Sequence, residues 1–538
     1  MGIPSYFSFI VKNHSSIIKK KNVLSTVNHF YLDCNSIIYE AIHNVNWNEE
    51  NSTKSSILLR WVIRKIEEYI MIIKPIDTIF IAFDGVAPVA KLEQQRGRRY
   101  KSWYQSGIVK SIMNENNSKL DAWNTSSITP GTEFMHELNT TITKHFTGNS
   151  SKYGAKNMIL STSDFEGEGE HKMFEYIRDK KEEHHKSTTV IYGLDADLIM
   201  LSINHLPICP NIYLFRETPH FIQSLNDTLE ANETYILDIP LLAETITLNM
   251  NNENKMTTVQ QNNRIYDYIL ICFMLGNDFL PHFPAINIRT GGIDKLLNAY
   301  KATIGKTNHN LTDGKQIYWK HFRKFVEFLA KQEEEFIKTE TKLRDRKERI
   351  FLPENTPEEK VKRFESIPTY KRDTEKFINP FKPYWKNRYY KALFKVNINE
   401  ERTKQVCVNY LEGLEWTMKY YTTNCCDWRW CYKYNYPPLL EDLYKYIPSF
   451  DTEYLPLKER NPVSPYVQLC YVLPKSSLNL LPPKIYDEIQ KKYSHLYDDD
   501  CDFVWSYCKY FWECHVELPE INIDELEIMV QENIVHTK

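Results

Sequence analysis

The sequence predicts an α/β protein: a mostly parallel sheet flanked by helices, with a helical arm and a mixed C-terminal unit packed on that core. Three observations predict it. Residues 1 to about 300 alternate short apolar runs, readable as strands, with helical patterns, as a doubly wound sheet requires. Five acidic clusters stand in the first 280 residues, and the first four come at or just after the end of such a run. From about residue 319 to 347 the pattern turns long, charged and amphipathic (FRKFVEFLAKQEEEFIKTETKLRDRK), which predicts a projecting helix whose charges mostly form a solvated face.

Taken in order, the strand-like runs are NHFYL, DTIFIAF, KNMILST and TTVIYGL. In an alternating α/β chain they pair in parallel, and their carboxyl ends make one edge where sites are built. The polar stretch at 105–127, with NENNS and NTSS, reads as a loop over the domain. A second polar stretch at 251–263 precedes YDYILICFML, apolar on most sides and therefore a buried helix, which Gly276 ends just before Asp278. PENTPEEK and SIPTYKRD break the charged helix, and the remainder from about 380 is rich in Tyr, Trp and Pro without repeats. At 538 residues the chain is too long for one ordinary domain, and the pattern divides it at 1–302, 303–398 and 399–538.

Composition excludes several classes. No run approaches 18 apolar residues and no signal-peptide core is visible, so neither a membrane span nor secretion is expected. Gly2 would invite a myristoyl group, but Tyr6 occupies the usual Ser or Thr position. The eleven cysteines are scattered, with no C-x-x-C pair, and are expected reduced and buried in an intracellular compartment. Net charge is only -3, so any nucleic-acid binding must use a local basic patch.

The acids are Asp33, Asp84, Glu168 and Glu170, Asp195 and Asp197, and Asp278. Two like charges about 4 Å apart repel by roughly 4 kcal/mol at an effective dielectric of about 20. A pit of such groups is tolerable if several are protonated or if metal ions fill it, and oxygen-only ligands favour hard ions such as Mg²⁺ or Mn²⁺. A lone D-x-D is ordinarily a turn, but a strand before it and four companion clusters point Asp195 and Asp197 at one site. Glu168 and Glu170 open a helix in EGEGEHK, where Gly167 and Gly169 allow a ligand close to the backbone. In AKLEQQRGRRYK, helical spacing puts Lys91, Gln95, Arg98 and Arg99 on one face, suited to a terminal phosphate dianion; the bland alternative is a solvated basic face. WKNRYYKALFK and the segment holding Trp416, Trp428 and Trp430 interleave cations with aromatics. Most of those rings suit a tyrosine-rich core, and one or two suit stacking on single-stranded bases.

The strings MGIPSYF, YLDCNSII, AFDGVAPVAKLEQQRGRRY, ITPGTEFM, EGEGEHK, IYGLDADLIML, RIYDYILICFMLGNDFLPHFP, WKNRYYK, YLEGLEW and VLPKSSLNLLP, in this order, resemble the XRN family of 5′→3′ exoribonucleases. The resemblance implies a PIN/flap-nuclease-like core and makes the seven acids both catalytic residues and ligands of two Mg²⁺ ions, with Mn²⁺ as an alternative. It also implies that Lys91, Gln95, Arg98 and Arg99 hold a 5′-monophosphate. Asn35 follows the first acid as it does in the family. Tyr39 stands where the family has a base-stacking histidine, Ser36 replaces a glycine and Glu166 replaces a proline. The family's stacking tryptophan corresponds to Trp428 or Trp430. The long C-terminal extension of the large cytoplasmic members does not occur in this sequence, so partner modules carried there are expected to be missing.

These features lead to one expectation: a processive exoribonuclease that degrades single-stranded 5′-monophosphorylated RNA to nucleoside 5′-monophosphates by two-metal hydrolysis. It is expected to be a monomer, cytoplasmic in preference to nuclear, supplied with ends by decapping factors and independent of membranes. The rivals are a structure-specific 5′ flap DNA nuclease and a non-catalytic RNA-binding scaffold. After Asp278 the chain runs FLPHFPAINIRTGG where flap nucleases carry a G-I-G-P-type hairpin, and a scaffold has no need to sustain seven repelling acids.

Overall fold

The computed structural model describes residues 3–20, 23–47, 52–113, 123–217, 230, 234–395, 399–498 and 501–535. Its centre is a seven-stranded sheet made of β1 (Ile18–Lys19), β2 (His29–Asp33), β3 (Thr78–Ala82), β4 (Asn157–Ser161), β5 (Thr189–Tyr192), β6 (Ile212–Glu217) and β7 (Thr234–Asp238), in the order β1-β7-β6-β5-β2-β3-β4. From β6 through β5, β2 and β3 to β4 every pairing is parallel, and β7 pairs antiparallel with both β6 and β1. All four strand-like runs read from the sequence are strands. Three of them are continuous apolar stretches because both faces are covered: β2, β3 and β5 are buried along their whole length, while the edge strand β4 is only partly buried.

Alternation along the strands feeds two separate cores. Tyr31, Phe80, Ala82, Ile191 and Leu214 enter one, while Phe30, Leu32, Ile79, Ile81, Val190, Tyr192 and Phe215 enter the other with the helices Asn35–Asn44, Lys54–Ile73 and Glu133–Phe146. The first core does not stop with the sheet. It continues through the Thr258–Cys272 helix to the Trp319–Ala330 and Glu400–Thr422 helices and on to Tyr507. A third core joins Val86, Ala87 and Leu92 to residues between Val463 and Val530. Apolar packing therefore crosses both of the divisions expected at 302 and 398. A short antiparallel pair, β8 (Asp502–Val504) with β9 (His515–Glu517), lies near the end of the chain.

Two expectations need correction. The polar stretch at 105–127 is not a loop from its start: the Val89–Met113 helix runs on through it. Contacts distant in sequence hold that extension, with Tyr104 packed on Phe503 at 4.6 Å between ring centroids and Gln105 donating to Glu365 at 3.2 Å. Residues 114–122 of that stretch lie outside the described residues. The charged segment at 319–347 is not one projecting arm. It breaks after Ala330, and Trp319, Phe322, Phe325, Val326 and Leu329 enter the main core. Several of its charges are inside as well. Arg344 forms a bidentate pair with Glu375, at 2.7 and 2.9 Å, and buried Glu333 accepts from the backbone N–H of Leu440 at 2.7 Å.

No disulfide joins the eleven cysteines to one another, and nine are buried. No described helix is long and apolar enough to cross a membrane.

Candidate active site

The sheet sets the positions of the acids. Asp33 is the last residue of β2, and Asp84 lies two residues beyond the end of the neighbouring β3. Asn35, at the start of its helix, grips Asp84 twice: its Nδ2 donates to Oδ2 at 2.6 Å, and its Oδ1 accepts from the Asp84 N–H at 3.0 Å. The Gly169–Asp179 helix points its N-terminus at the same carboxylate, and the Gly169 N–H donates to Asp84 Oδ1 at 2.7 Å. Only glycine allows this approach, because a Cβ there would lie 2.9 Å from Asp33 Oδ1.

Glu170, in the first turn of that helix, completes a triangle. Carboxylate oxygens of Asp33, Asp84 and Glu170 all lie within 4.8 Å of one another, as do ligand atoms of Glu168, Glu170 and His171. Asp33 Oδ1 is buried without a hydrogen-bond partner. Burial, then the charges of Asp84 and Asp195, pushes the Asp33 carboxyl well above the ordinary carboxylate range. Burial with Glu168 and Asp33 does the same to Glu170, and burial with Asp278 pushes Asp197 up to about 6. A hard divalent cation fits this donor set: it would satisfy the orphaned oxygen and cancel the repulsion that raises these groups.

Lys91 is the cation built into the pit. Its ammonium pairs with Glu168 and, at 2.7 Å, with Asp278 Oδ2. Burial opposes that charge, but Asp278, Glu168 and Glu170 hold Lys91 well above its usual value. Burial likewise opposes the Asp278 carboxylate, which Lys91 holds below the usual range. Asp195 sits in the turn between β5 and the Asp197–His205 helix, so all seven acids issue from strand ends, helix starts or the turn after Gly276.

Two side chains that hydrogen-bond the acids escaped sequence reasoning. Tyr420 donates to Glu168 Oε1 at 2.9 Å, and Tyr421 donates to Asp197 Oδ1 at 2.6 Å. Both come from the Glu400–Thr422 helix, which reaches the pit through the shared core. His171 stacks on Tyr420 with ring centroids 3.7 Å apart, and burial lowers its pKa. His171 and Lys172 were visible within EGEGEHK; nothing in KYYTTN distinguished its tyrosines from the surrounding aromatic core.

Lys91, Gln95, Arg98 and Arg99 all lie on the Val89–Met113 helix. Arg99 Nη2 donates to Thr129 Oγ1 at 2.5 Å, while its Nη1 and Gln95 Oε1 are buried without partners. Burial lowers Arg99 to about 10, an environment that favours an anion beside it. Tyr39 is 39% exposed, on the helix that begins at Asn35.

Neither Trp428 nor Trp430 presents an open face. Both are buried; Trp430 stacks on Trp416 with centroids 5.4 Å apart, and the Arg460 guanidinium stands 5.3 Å from the Trp428 ring. Trp385, Tyr389 and Tyr390 of the basic stretch at 385–395 are core residues too, with Tyr389 donating to the Pro437 carbonyl and Tyr390 to Asp442.

The family model for the XRN 5′-3′ exonuclease N-terminus matches residues 1–218, and that for the Xrn1 helical domain matches residues 258–377 and 359–533. The chain is 29% identical to 5′-3′ exoribonuclease 1 of Saccharomyces cerevisiae over 91% of its own length and 40% of that protein's. It is 25% identical to 5′-3′ exoribonuclease 2 of Gallus gallus over 99% of its own length and 70% of the relative's. For 5′-3′ exoribonuclease 1 of Homo sapiens the identity is 26%, over 90% of this chain and 31% of the relative. The chain thus spans well under half the length of the two exoribonucleases 1. A likeness to the catalytic core of Rad2 in complex with DNA substrate, with TM-score 0.33 and 16% identity over 67% of this chain and 85% of that one, is too slight to bear on the site. The N-terminal match carries six of the acids and the Val89–Met113 helix, while the helical-domain match carries Asp278, Tyr420 and Tyr421: the chain belongs to the XRN family.

Proposed function

We propose that this chain is a processive 5′→3′ exoribonuclease that hydrolyses single-stranded, 5′-monophosphorylated RNA to nucleoside 5′-monophosphates with two Mg²⁺ ions. The observation that carries the reading is the Asp33–Asp84–Glu170 cluster with its buried, unpartnered Asp33 oxygen. The names of the relatives supply the direction and the RNA.

In this reading Asp33, Asp84, Glu168, Glu170, Asp195, Asp197 and Asp278 hold the ions, and Mn²⁺ would suit the same oxygens. Bound divalent cations supply an activated water and neutralise charge building on phosphorus. The chain's own residues do the rest. Asn35 and the Gly169 N–H fix the Asp84 carboxylate, and Tyr420 and Tyr421 fix Glu168 and Asp197. Lys91, Gln95, Arg98 and Arg99 take the terminal phosphate and so place the next phosphodiester at the acids; positioning of this kind removes several kcal/mol of barrier. Tyr39 stacks on the first base. The functional division is 1–302 for the acids and phosphate pocket, 303–398 as connector and 399–538 as the unit that closes the site. The protein works as a monomer in cytoplasmic RNA decay, on ends supplied by decapping.

The deciding experiment incubates purified protein and Mg²⁺ with 5′-monophosphate, 5′-hydroxyl, 5′-triphosphate and capped forms of one RNA, beside a DNA flap. Asp195→Ala combined with Asp197→Ala should abolish cleavage and leave the fold intact; metal-dependent decay by that variant sinks the assignment. Arg98→Ala should erase the preference for a monophosphate over a hydroxyl end. Cleavage of the flap with the RNA left whole would favour the DNA-nuclease reading.

A further inference from the structure

Phe165 lies in the turn between β4 and the Gly169–Asp179 helix, three residues before Glu168, and its side chain is 58% exposed. A single exposed ring is ordinary on a protein surface; this one is set apart by its place in the turn that leads to Glu168.

The backbone beneath it is firmly held. The Gly85 N–H donates to the Gly167 carbonyl at 2.9 Å, and the Gly167 N–H donates to the Val86 carbonyl at 2.7 Å. The Lys172 ammonium donates to the carbonyls of Phe83 and Thr162, each at 2.9 Å, and Glu166 pairs with Arg460 Nε at 2.9 Å. Gly85 lies so close under the loop that a Cβ would stand 1.8 Å from the Phe165 carbonyl oxygen. A flat apolar ring is therefore presented to solvent on a fixed mount, beside the residue that follows Asp84 and next to the turn that carries Glu168.

A second exposed aromatic, Tyr39, rises from the helix whose first residue grips Asp84, while the turn of Phe165 leads into the helix whose Gly169 N–H grips the same carboxylate. Two open rings thus come from the two segments that hold one catalytic acid. A phosphodiester substrate carries its own flat, weakly hydrated face in each nucleobase, and such faces stack on aromatic side chains without regard to sequence.

Resting on the RNA reading above, we propose that Phe165 is a substrate-contact residue that stacks on a nucleobase flanking the scissile phosphodiester. It gives this chain a second aromatic contact beside Tyr39.

The test is a binding titration of the full chain in EDTA, with 5′-monophosphorylated single-stranded RNA carrying 2-aminopurine at each of the first four positions in turn. Wild-type protein should quench the fluorescence at one or two positions. Phe165→Ala should remove the quench at one of them and weaken binding about tenfold, and Phe165→Trp should restore both. Because the ring is exposed, the melting temperature of Phe165→Ala should match that of wild type, so loss of binding is not loss of fold. Phe165→Ala binding within about twofold of wild type with an unchanged quench pattern overturns the proposal. A parallel cleavage assay in Mg²⁺ separates the two readings. Wild type that cleaves while Phe165→Ala binds normally sinks the stacking contact alone; wild type that binds and quenches but never cleaves sinks the hydrolytic reading and leaves the contact standing.

Discussion

Tyr421 donates its hydroxyl to Asp197 at 2.6 Å, joining residues 224 positions apart in the chain. The bond favours the charged form of a carboxyl that burial and Asp278 push up to about 6. Tyr421→Phe removes the donor and nothing else of size. A hydrogen bond to a charged group is worth about 1.5–3 kcal/mol, so cleavage should fall at least about tenfold. The acid limb of the pH–rate profile should also move to higher pH, because Asp197 without its donor needs a higher pH to ionise. A pH–rate series on both proteins checks this, and superimposable profiles would refute it.

Cation binding should depend on pH in a set direction. Asp33, Glu168, Glu170 and Asp197 all have carboxyls raised above their ordinary values. The folded protein therefore binds protons that the unfolded chain releases, and that stabilisation, complete below the ordinary carboxylate pKa, is lost as pH rises through the raised values. Buried histidines work the other way. His29 and His282 are lowered to about 4, and His205 and His515 to about 3, all by burial, so their contribution grows as pH rises towards 6.5. The difference in melting temperature with and without Mg²⁺ removes the histidine effect. That difference should be larger at pH 7.5 than at pH 5, where protons compete for the same oxygens.

Lys91→Met leaves Glu168 and Asp278 buried without their cation. Breaking such a pair from one side costs about 3–5 kcal/mol. The metal-free variant should melt well below wild type, and Mg²⁺ should raise it by more than it raises wild type. Calorimetry with and without the ion measures both shifts; equal shifts would show that Lys91 does not offset the acids.

Gly85→Ala places a methyl 1.8 Å from the Phe165 carbonyl oxygen, a backbone atom that cannot swing aside. Such overpacking costs about 1–3 kcal/mol or more, and the displaced turn carries Glu168 with it. A lower melting temperature and loss of Mg²⁺-dependent cleavage are expected. Gly107→Ala is the contrasting substitution: nothing lies within 4 Å of its Cβ position in the Val89–Met113 helix, so it should stabilise by up to about 1 kcal/mol.

Much of this was legible in the residues. NHFYL and DTIFIAF are strands because a parallel sheet covered on both faces needs unbroken apolar runs, and Asp33 and Asp84 stand where such strands end. Other parts were not legible. YQSGIVKSIM reads as polar and loop-like, and it is helical because Phe503 and Glu365, remote in sequence, pack on Tyr104 and Gln105. Tyr420 and Tyr421 lie on a helix buried nearly all round, so no periodicity marks the face that addresses the acids. Trp428 and Trp430 looked like stacking platforms by composition, yet Trp416 and Arg460 cover them.

The reach of the Glu400–Thr422 helix into the acid pit also orders events during synthesis. Six of the seven acids leave the ribosome more than 220 residues before Tyr420 and Tyr421. A nascent chain holding only its first half has six of the carboxylates but lacks the hydroxyls that orient Glu168 and Asp197. The site is completed late, after the far half has packed onto the sheet.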